Sequence, residues 1–277
     1  MLPNLNPDAM CRQRFYIIGM SDEHSVYFPP EVKKIISRGK VFSGGKRHHE
    51  IVNGLLPQEA SWIDIVAPMS SVFEQYRKHP EIVVFASGDP LFFGFANTVK
   101  RLLPEVEIVL FPSFNSLQTL AHRMVLPYQD MRTLSLTGRP WDAFDQALIE
   151  GEELIGTLTD RTKTPALIAS RMLEYGYDNY RMTVGECLGN SEQEHVQTYT
   201  LKEAAHTEFQ FPNCLILERT ATHPRPFGIP EQDFHLLNGR VNMITKAPIR
   251  LLTLNMLGLA QSSYFLGCRF LHRKHLH

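Results

Sequence analysis

Five consecutive apolar residues, Ile82–Ala86, run without interruption into Ser87-Gly88-Asp89-Pro90. So short and β-branched a run predicts a strand buried on both faces, and a Gly-Asp-Pro turn ends it abruptly. The same unit recurs along the first half. Phe15–Ile18 stops at Gly19, Val41-Phe42 runs into Gly44-Gly45, and Val106–Phe111 stops at Pro112. Between these runs the spacing becomes helical. Glu31–Ser37 follows Pro29-Pro30, and Ala96, Val99, Leu102 and Leu103 share one side of a helix. Strands alternating with helices predict an α/β lobe built on a mainly parallel sheet.

The pattern continues beyond Pro112. Leu117, Leu120, Ala121, Met124 and Val125 fall at helical spacing, with Asn115 or Ser113 available as a cap. Arg132–Leu136 and Leu154–Leu158 are predicted strands. Thr164-Pro165 opens a helix that runs to Tyr175 and stops at Gly176. From Arg181 the segments Met182–Cys187, Val196–Leu201 and Cys214–Glu218 are separated by short turns, which predicts a partly antiparallel second sheet. Pro224, Pro226 and Pro230 mark a linker. The expected organisation is two successive α/β lobes, residues 1–113 and 114–222, with a linker and appended segment over 223–277.

Composition narrows the function classes. The chain has 277 residues, with 28 Lys plus Arg against 29 Asp plus Glu, so it lacks the cationic excess of a protein that neutralises many phosphates. No nucleic-acid partner is expected. Cys11, Cys187, Cys214 and Cys268 form no CxxC pair, which removes zinc-ribbon spacing and predicts reduced thiols in a cytoplasmic protein. Prolines and charges break up the first 13 residues, so no signal peptide is expected. The longest uncharged stretch, Leu251–Cys268, carries too many polar residues and glycines for a membrane span, and no membrane partner is expected.

Several local features carry chemistry. In open α/β sheets, ligands sit beyond the carboxyl ends of the strands, which directs attention to the SGDP turn and to Gly19. Gly44–Glu50 (GGKRHHE) sets cations and imidazoles after a Gly-Gly turn, suited to an acidic ligand or to a solvated turn into a helix. Adjacent His48 and His49 point apart on a regular element and are poor joint metal ligands. His272, His275 and His277 are an accidental tail tract, and no metal site is expected. GxGxxG, GxxxxGK[ST], GxSxG and HExxH patterns are all absent.

Four segments in order, VVFASGDPLFFG (83–94), FPSFNSLQTLAHRMVLPYQD (111–130), LSLTGRP (134–140) and LTDRTKTPALIASRMLEYGY (158–177), resemble the tetrapyrrole methylase family, the class III S-adenosylmethionine-dependent methyltransferases. GGKRH (44–48), SLQ (116–118), the LTD…TP element (158–165) and GECLGNSEQ (185–193) resemble the branch that methylates C5 of a precorrin or cobalt-precorrin in cobalamin assembly. The resemblance spans about residues 14–220. It implies a ligand cleft between the lobes, S-adenosylmethionine as cofactor, a tetrapyrrole substrate and a homodimer. It implies cofactor contacts from Gly19 and Met20, from Gly88, Asp89, Pro90 and Phe92, from Ser116 and Leu117, and from Leu188. Lys46, Arg47 and Arg139 are the candidates to hold substrate carboxylates, and no general base is nominated. Alternatives within the family act on uroporphyrinogen, diphthine or ribosomal RNA, and the near-neutral charge disfavours the last. A catalytically inactive tetrapyrrole- or cofactor-binding module is the reading from another class, against which the intact SGDP and Asn-Ser-Leu segments argue. The first loop, GMSDEHSVYFP (19–29), is poorer in glycine than the family pattern, and Thr137-Gly138-Arg139 stands where the family carries His-Gly-Arg.

Gly239–Leu259 resembles the beginning of a second, C15-methylating and decarboxylating domain, of which 18 residues remain after Leu259. Codons for the tail can be chosen so that a one-nucleotide shift spells a strand and glycine loop of such a domain. The expectation is a two-domain enzyme interrupted by a frameshift, with a poorly ordered tail.

Overall fold

The structure, a computed structural model, describes residues 13–21, 27–222 and 245–258. The tail expectation, together with Cys11 and Cys268, lies outside them. The chain divides into two units, Met1–Thr220 and Ala221–His277.

The first unit opens with β1 (Arg14–Met20), α1 (Pro30–Arg38), β2 (Val41–Gly44), α2 (Lys46–Val52), β3 (Ser61–Asp64), α3 (Met69–Tyr76), β4 (Glu81–Ser87), α4 (Phe95–Leu102) and β5 (Glu107–Phe111). These strands form one sheet in the order β3-β2-β4-β1-β5, and every pairing is parallel. Side chains alternate across the pleat. Phe15, Ile17, Ile82, Val84 and Ala86 therefore face α3 and α4, packing against Val72, Phe73, Tyr76, Ala96 and Val99. Ile18, Met20, Val83 and Phe85 face α1 and α2, against Val32, Ile35, Ile36 and Val52. Burial on both sides is why β1 and β4 read as unbroken apolar runs. Fully burying each such side chain contributes about 1.5–3 kcal/mol.

The chain continues through α5 (Ser116–Met124), β6 (Arg132–Ser135), α6 (Asp142–Glu150), β7 (Leu154–Leu158), α7 (Pro165–Glu174), β8 (Tyr180–Glu186), β9 (His195–Thr200), α8 (Leu201–Ala204) and β10 (Asn213–Arg219). The second sheet runs β6-β7-β10-β8-β9. Only β6 with β7 is parallel, and the remaining pairings are antiparallel. One face packs on α6, α7 and α8 through Phe144, Ala147, Ile168, Met172 and Leu201. The other is covered by α5 through Leu117, Leu120 and Ala121. A Cβ on Gly156 of β7 would lie 2.7 Å from Met131 Sδ and 3.0 Å from Leu117 Cδ1, so a glycine lets α5 sit down on the strand.

The caps follow their residue types. Asn115 accepts from the Gln118 N–H at 2.9 Å, while Gln118 Oε1 accepts from the Asn115 N–H at 3.1 Å, a reciprocal capping box. Thr164 caps α7 by accepting from the Leu167 N–H at 3.3 Å. Val125, expected on the buried stripe of α5, instead ends the helix in the left-handed conformation at φ 52° and is 89% exposed. β3, α3 and α6 are elements that the periodicity did not single out.

In the second unit, α9 (Ala247–Met256) starts with Pro248 in its first turn, inside the segment that resembles the start of a further domain. No helix among the described residues is long and apolar enough to cross a membrane.

Candidate functional site

β1 and β4 are neighbours in the first sheet, yet their connections leave to opposite faces. The chain after β1 goes to α1, and the chain after β4 goes to α4, which packs on the other side. Such a reversal opens a crevice at the carboxyl ends of the two strands. A cavity of about 990 Å³ lies there, walled by the ends of β1, β4 and β5, the first turns of α2 and α5, and Leu188-Gly189 of the second lobe.

Glycines let the strand ends converge. A Cβ on Gly19 would fall 1.9 Å from the Gly88 carbonyl oxygen and 2.8 Å from the Ser113 nitrogen. The Gly88 N–H donates to the Met20 carbonyl at 2.9 Å, and the Ser113 N–H donates to the Gly88 carbonyl at 3.3 Å. Gly88 itself has φ 61°, which an L side chain rarely adopts, and a Cβ there would meet Asn115 Cα at 2.9 Å. Three loops are thus laced together by backbone alone.

Six of the residues expected to touch a cofactor line this cavity: Gly19, Met20, Gly88, Phe92, Ser116 and Leu188. Three do not. Leu117 is fully buried beneath α5 in the core of the second lobe. Pro90 is buried, and its carbonyl would lie 2.5 Å from a Cβ on Gly94. Asp89 turns onto its own loop, where Oδ1 accepts from the Leu91 N–H at 2.8 Å. The Ser116 hydroxyl bonds the Cys214 thiol, whose pKa burial pushes up to about 12.

The cations expected to hold substrate carboxylates stand outside the wall. Lys46 is exposed on α2. Partial burial lowers the Arg47 pKa, and its guanidinium acts across the cleft on Cys187 of the second lobe. The Arg139 guanidinium stacks over Phe93, a wall residue, at 5.0 Å from the ring centre. The loop carrying Arg139 is held by Asp160, whose carboxylate accepts from the Gly138 N–H at 2.9 Å, the Thr162 N–H at 2.8 Å, the Thr162 hydroxyl at 2.7 Å and the Lys163 N–H at 2.6 Å. Those bonds hold the Asp160 pKa well below the usual carboxylate range.

Among the polar wall residues that sequence reasoning missed, three carry basic side chains, His48, His122 and Arg123. His122 packs edge-on between Phe114 and Tyr128. Arg123 pairs with Glu194, with Nε 2.5 Å from Oε1, and Glu194 Oε2 also accepts from the Gly189 N–H at 2.6 Å, which fixes the Leu188-Gly189 turn. The signal for His48 was the GGKRHHE run, from which only the cations were chosen. Its two histidines do diverge. His49 stacks on Trp62 at 4.0 Å, whereas His48 turns into the cavity. Among the described residues no group of three His, Cys, Asp or Glu is placed to hold a metal ion.

Comparison with known proteins agrees with this architecture. The chain is 32% identical over 184 residues to a precorrin-6Y C(5,15)-methyltransferase [decarboxylating] from Sinorhizobium sp, a match covering 63% of this chain and 42% of the relative. It therefore spans less than half the length of that relative. It is 25% identical over 203 residues to a cobalt-precorrin-7 C(5)-methyltransferase from Salmonella typhimurium, covering 73% of this chain and 98% of the relative. A solved structure of a precorrin-6Y methylase from Archaeoglobus fulgidus superposes with a TM-score of 0.58 at 19% identity, over 76% of this chain and all of that one (100%). A sequence profile of the tetrapyrrole (corrin/porphyrin) methylases matches residues 14–205, and the chain belongs to that family.

Proposed function

We propose that this chain is an S-adenosylmethionine-dependent C-methyltransferase that acts at C5 of a precorrin or cobalt-precorrin in cobalamin biosynthesis. The observation that carries the reading is the cavity at the β1/β4 switch point, where backbone from three strand ends and the capped start of α5 converge. The residues fit the cofactor. The wall is mainly apolar and aromatic, with Phe85, Phe92, Phe111 and Phe114, and Gly19 and Gly88 keep open backbone space that side chains would fill. Gly19, Met20, Gly88, Phe92, Ser116 and Leu188 would hold it, with Asp89, Pro90 and Leu117 shaping the loops from behind. Bound there, the cofactor supplies an electrophilic methyl group on a sulfonium.

The rest falls to the chain's own residues, and it is work of orientation rather than covalent catalysis. The Arg123–Glu194–Gly189 chain fixes the turn that brings Leu188 to the wall. Arg139, on the Asp160-clamped loop, and Lys46 and Arg47 on α2 would meet the carboxylates of a polyacidic ring from outside the cavity wall. The C5 assignment rests on the relative named for C5 alone, 98% of which is matched. The homodimer expected from the resemblance and the cytoplasmic location expected from the cysteines belong to this proposal.

Calorimetric titration with S-adenosylmethionine tests the class, and absence of binding up to millimolar ligand overturns it. Turnover of a precorrin-type substrate compared with uroporphyrinogen tests the branch, and preference for uroporphyrinogen overturns the C5 assignment.

A further inference from the structure

His48 is the third residue of α2, following the Gly45 cap. Its Nδ1 accepts from the Gly45 N–H at 3.3 Å, and its Nε2 lies 3.0 Å from Ser87 Oγ. A ring nitrogen that accepts carries no proton, so the neutral ring has its proton on Nε2 and donates it to the serine. Burial, reinforced by the adjacent Arg47 guanidinium, pushes the His48 pKa down to about 4 and keeps the ring neutral. Ser87 Oγ is thereby used as an acceptor, leaving its own hydroxyl proton to give. No other described residue bonds that hydroxyl, and both residues line the cavity.

The position of the pair indicates what it serves. Ser87 follows Phe85 by two residues on β4, so it stands on the α1/α2 face of the sheet. It reaches toward β2, which flanks β4 on the side away from β1. The cavity residues assigned to the cofactor come from β1, from the loop after β4, from α5 and from the second lobe. The residues before His48 on α2 are the cations Lys46 and Arg47. A hydroxyl with a proton to give, lining an aromatic cavity on the side where α2 begins with those cations, fits one oxygen of a carboxylate, to which a neutral donor adds direction where the cations add charge.

We propose that Ser87 donates a hydrogen bond to a carboxylate of the tetrapyrrole substrate and that His48 is a positioning residue acting through Ser87. This rests on the methyltransferase reading above and adds to it two residues with separate duties. Ser87→Ala removes the donor. His48→Phe keeps ring shape but loses both nitrogens. His48→Gln restores an N–H within reach of Ser87 and an oxygen that accepts from Gly45, as capping-box glutamines do.

The experiment measures S-adenosylmethionine Kd by calorimetry, and KM and kcat for a precorrin substrate, on full-length wild type and the three variants. The expected result is KM raised about tenfold to a hundredfold in Ser87→Ala and His48→Phe, the range for a hydrogen bond to a charged group. Cofactor Kd stays unchanged, and His48→Gln recovers most of the loss. An unchanged KM in Ser87→Ala overturns the proposal. So does a cofactor Kd that rises in step with KM, which would place the pair at the cofactor. So does a His48→Gln variant as impaired as His48→Phe. Should His48→Phe fail to fold, Ser87→Ala at the exposed strand end decides alone. Wild type that neither binds S-adenosylmethionine nor methylates a precorrin overturns the function itself, a result distinct from a selective KM effect.

Discussion

Replacing Gly19 by alanine adds one methyl group where there is no room. The Cβ would sit 1.9 Å from the Gly88 carbonyl oxygen and 2.8 Å from the Ser113 nitrogen. Ordinary contact begins near 3.4 Å. The Gly88 carbonyl would have to retreat by more than about 1 Å, and it is not a movable side chain. Its oxygen accepts from the Ser113 N–H, and its own N–H is tied to Met20. Overpacking of this kind costs typically 1–3 kcal/mol. Loss of the Gly88–Ser113 hydrogen bond adds about 1 kcal/mol. A total near 3 kcal/mol corresponds to a fall in Tm of about 6–12 °C for a lobe pair of this size. Because the three strand ends that separate are those walling the cavity, cofactor affinity should fall in the same variant. Thermal unfolding followed by circular dichroism, with calorimetric titration on the folded protein, measures both. A Gly19→Ala protein with wild-type Tm and wild-type cofactor affinity would refute the claim that backbone convergence builds the site.

Four further outcomes are expected. Val125→Gly should raise Tm by about 2–4 °C, since a β-branched residue in the left-handed region costs about 1–2 kcal/mol and this one buries almost nothing in return. Asp160→Asn should destabilise the protein at neutral pH; a depressed carboxylate pKa gives stability that is present above the unfolded value near 4 and lost as pH falls below it, so the gap between variant and wild type should narrow in acid. For His48 the folded pKa of about 4 lies below the unfolded value, so the unfolded chain binds the extra proton and wild-type stability falls with pH between about 6.5 and 4; His48→Gln should flatten that part of a denaturation profile. Asp89→Ala should weaken cofactor binding by releasing the Leu91 N–H and loosening the loop, whereas Asp89→Asn, which keeps an acceptor oxygen, should bind nearly as wild type in the same titration.

What could be read in advance follows from burial. β1 and β4 are apolar on both faces, because each faces a helical layer on either side, and continuous runs of this kind stand out from a chain. β3 is four residues at a sheet edge, SWID, with only Ile63 buried, and leaves no periodicity to find. α6 carries signals, with Phe144, Ala147 and Leu148 at helical spacing and Gly151 at φ 71° as its stop, but no side chain caps its start to mark where it begins. The site divides in the same way. Strand-end glycines are visible because close backbone approach demands them. Leu117, Asp89 and Pro90 stand off the wall because a motif names positions without saying which way a side chain turns. His48 is not legible in the sequence because its partner at the cavity, Ser87, is 39 residues away.

The cavity also explains why two differently built lobes act as one piece. Its floor belongs to the parallel sheet, where backbone is held by backbone. Its far wall, Ser116, Leu158, Leu188 and Gly189, belongs to the mixed sheet, where α5 is seated by Gly156 and the Leu188 turn by Glu194. Three contacts between the two start from one loop. Phe92 from the loop after β4 packs into the core beneath α5, Phe93 lies under Arg139, and Gly88 fits against Asn115. All three involve the Gly88–Gly94 loop, so this short segment both lines the cavity and couples the lobes. A ligand that orders it would tighten the site and the lobe interface together, because the same side chains serve both. The SGDP turn thus divides its work: Ser87 and Gly88 line the cavity, while Asp89 and Pro90 hold the loop that carries Phe92 and Phe93 to it.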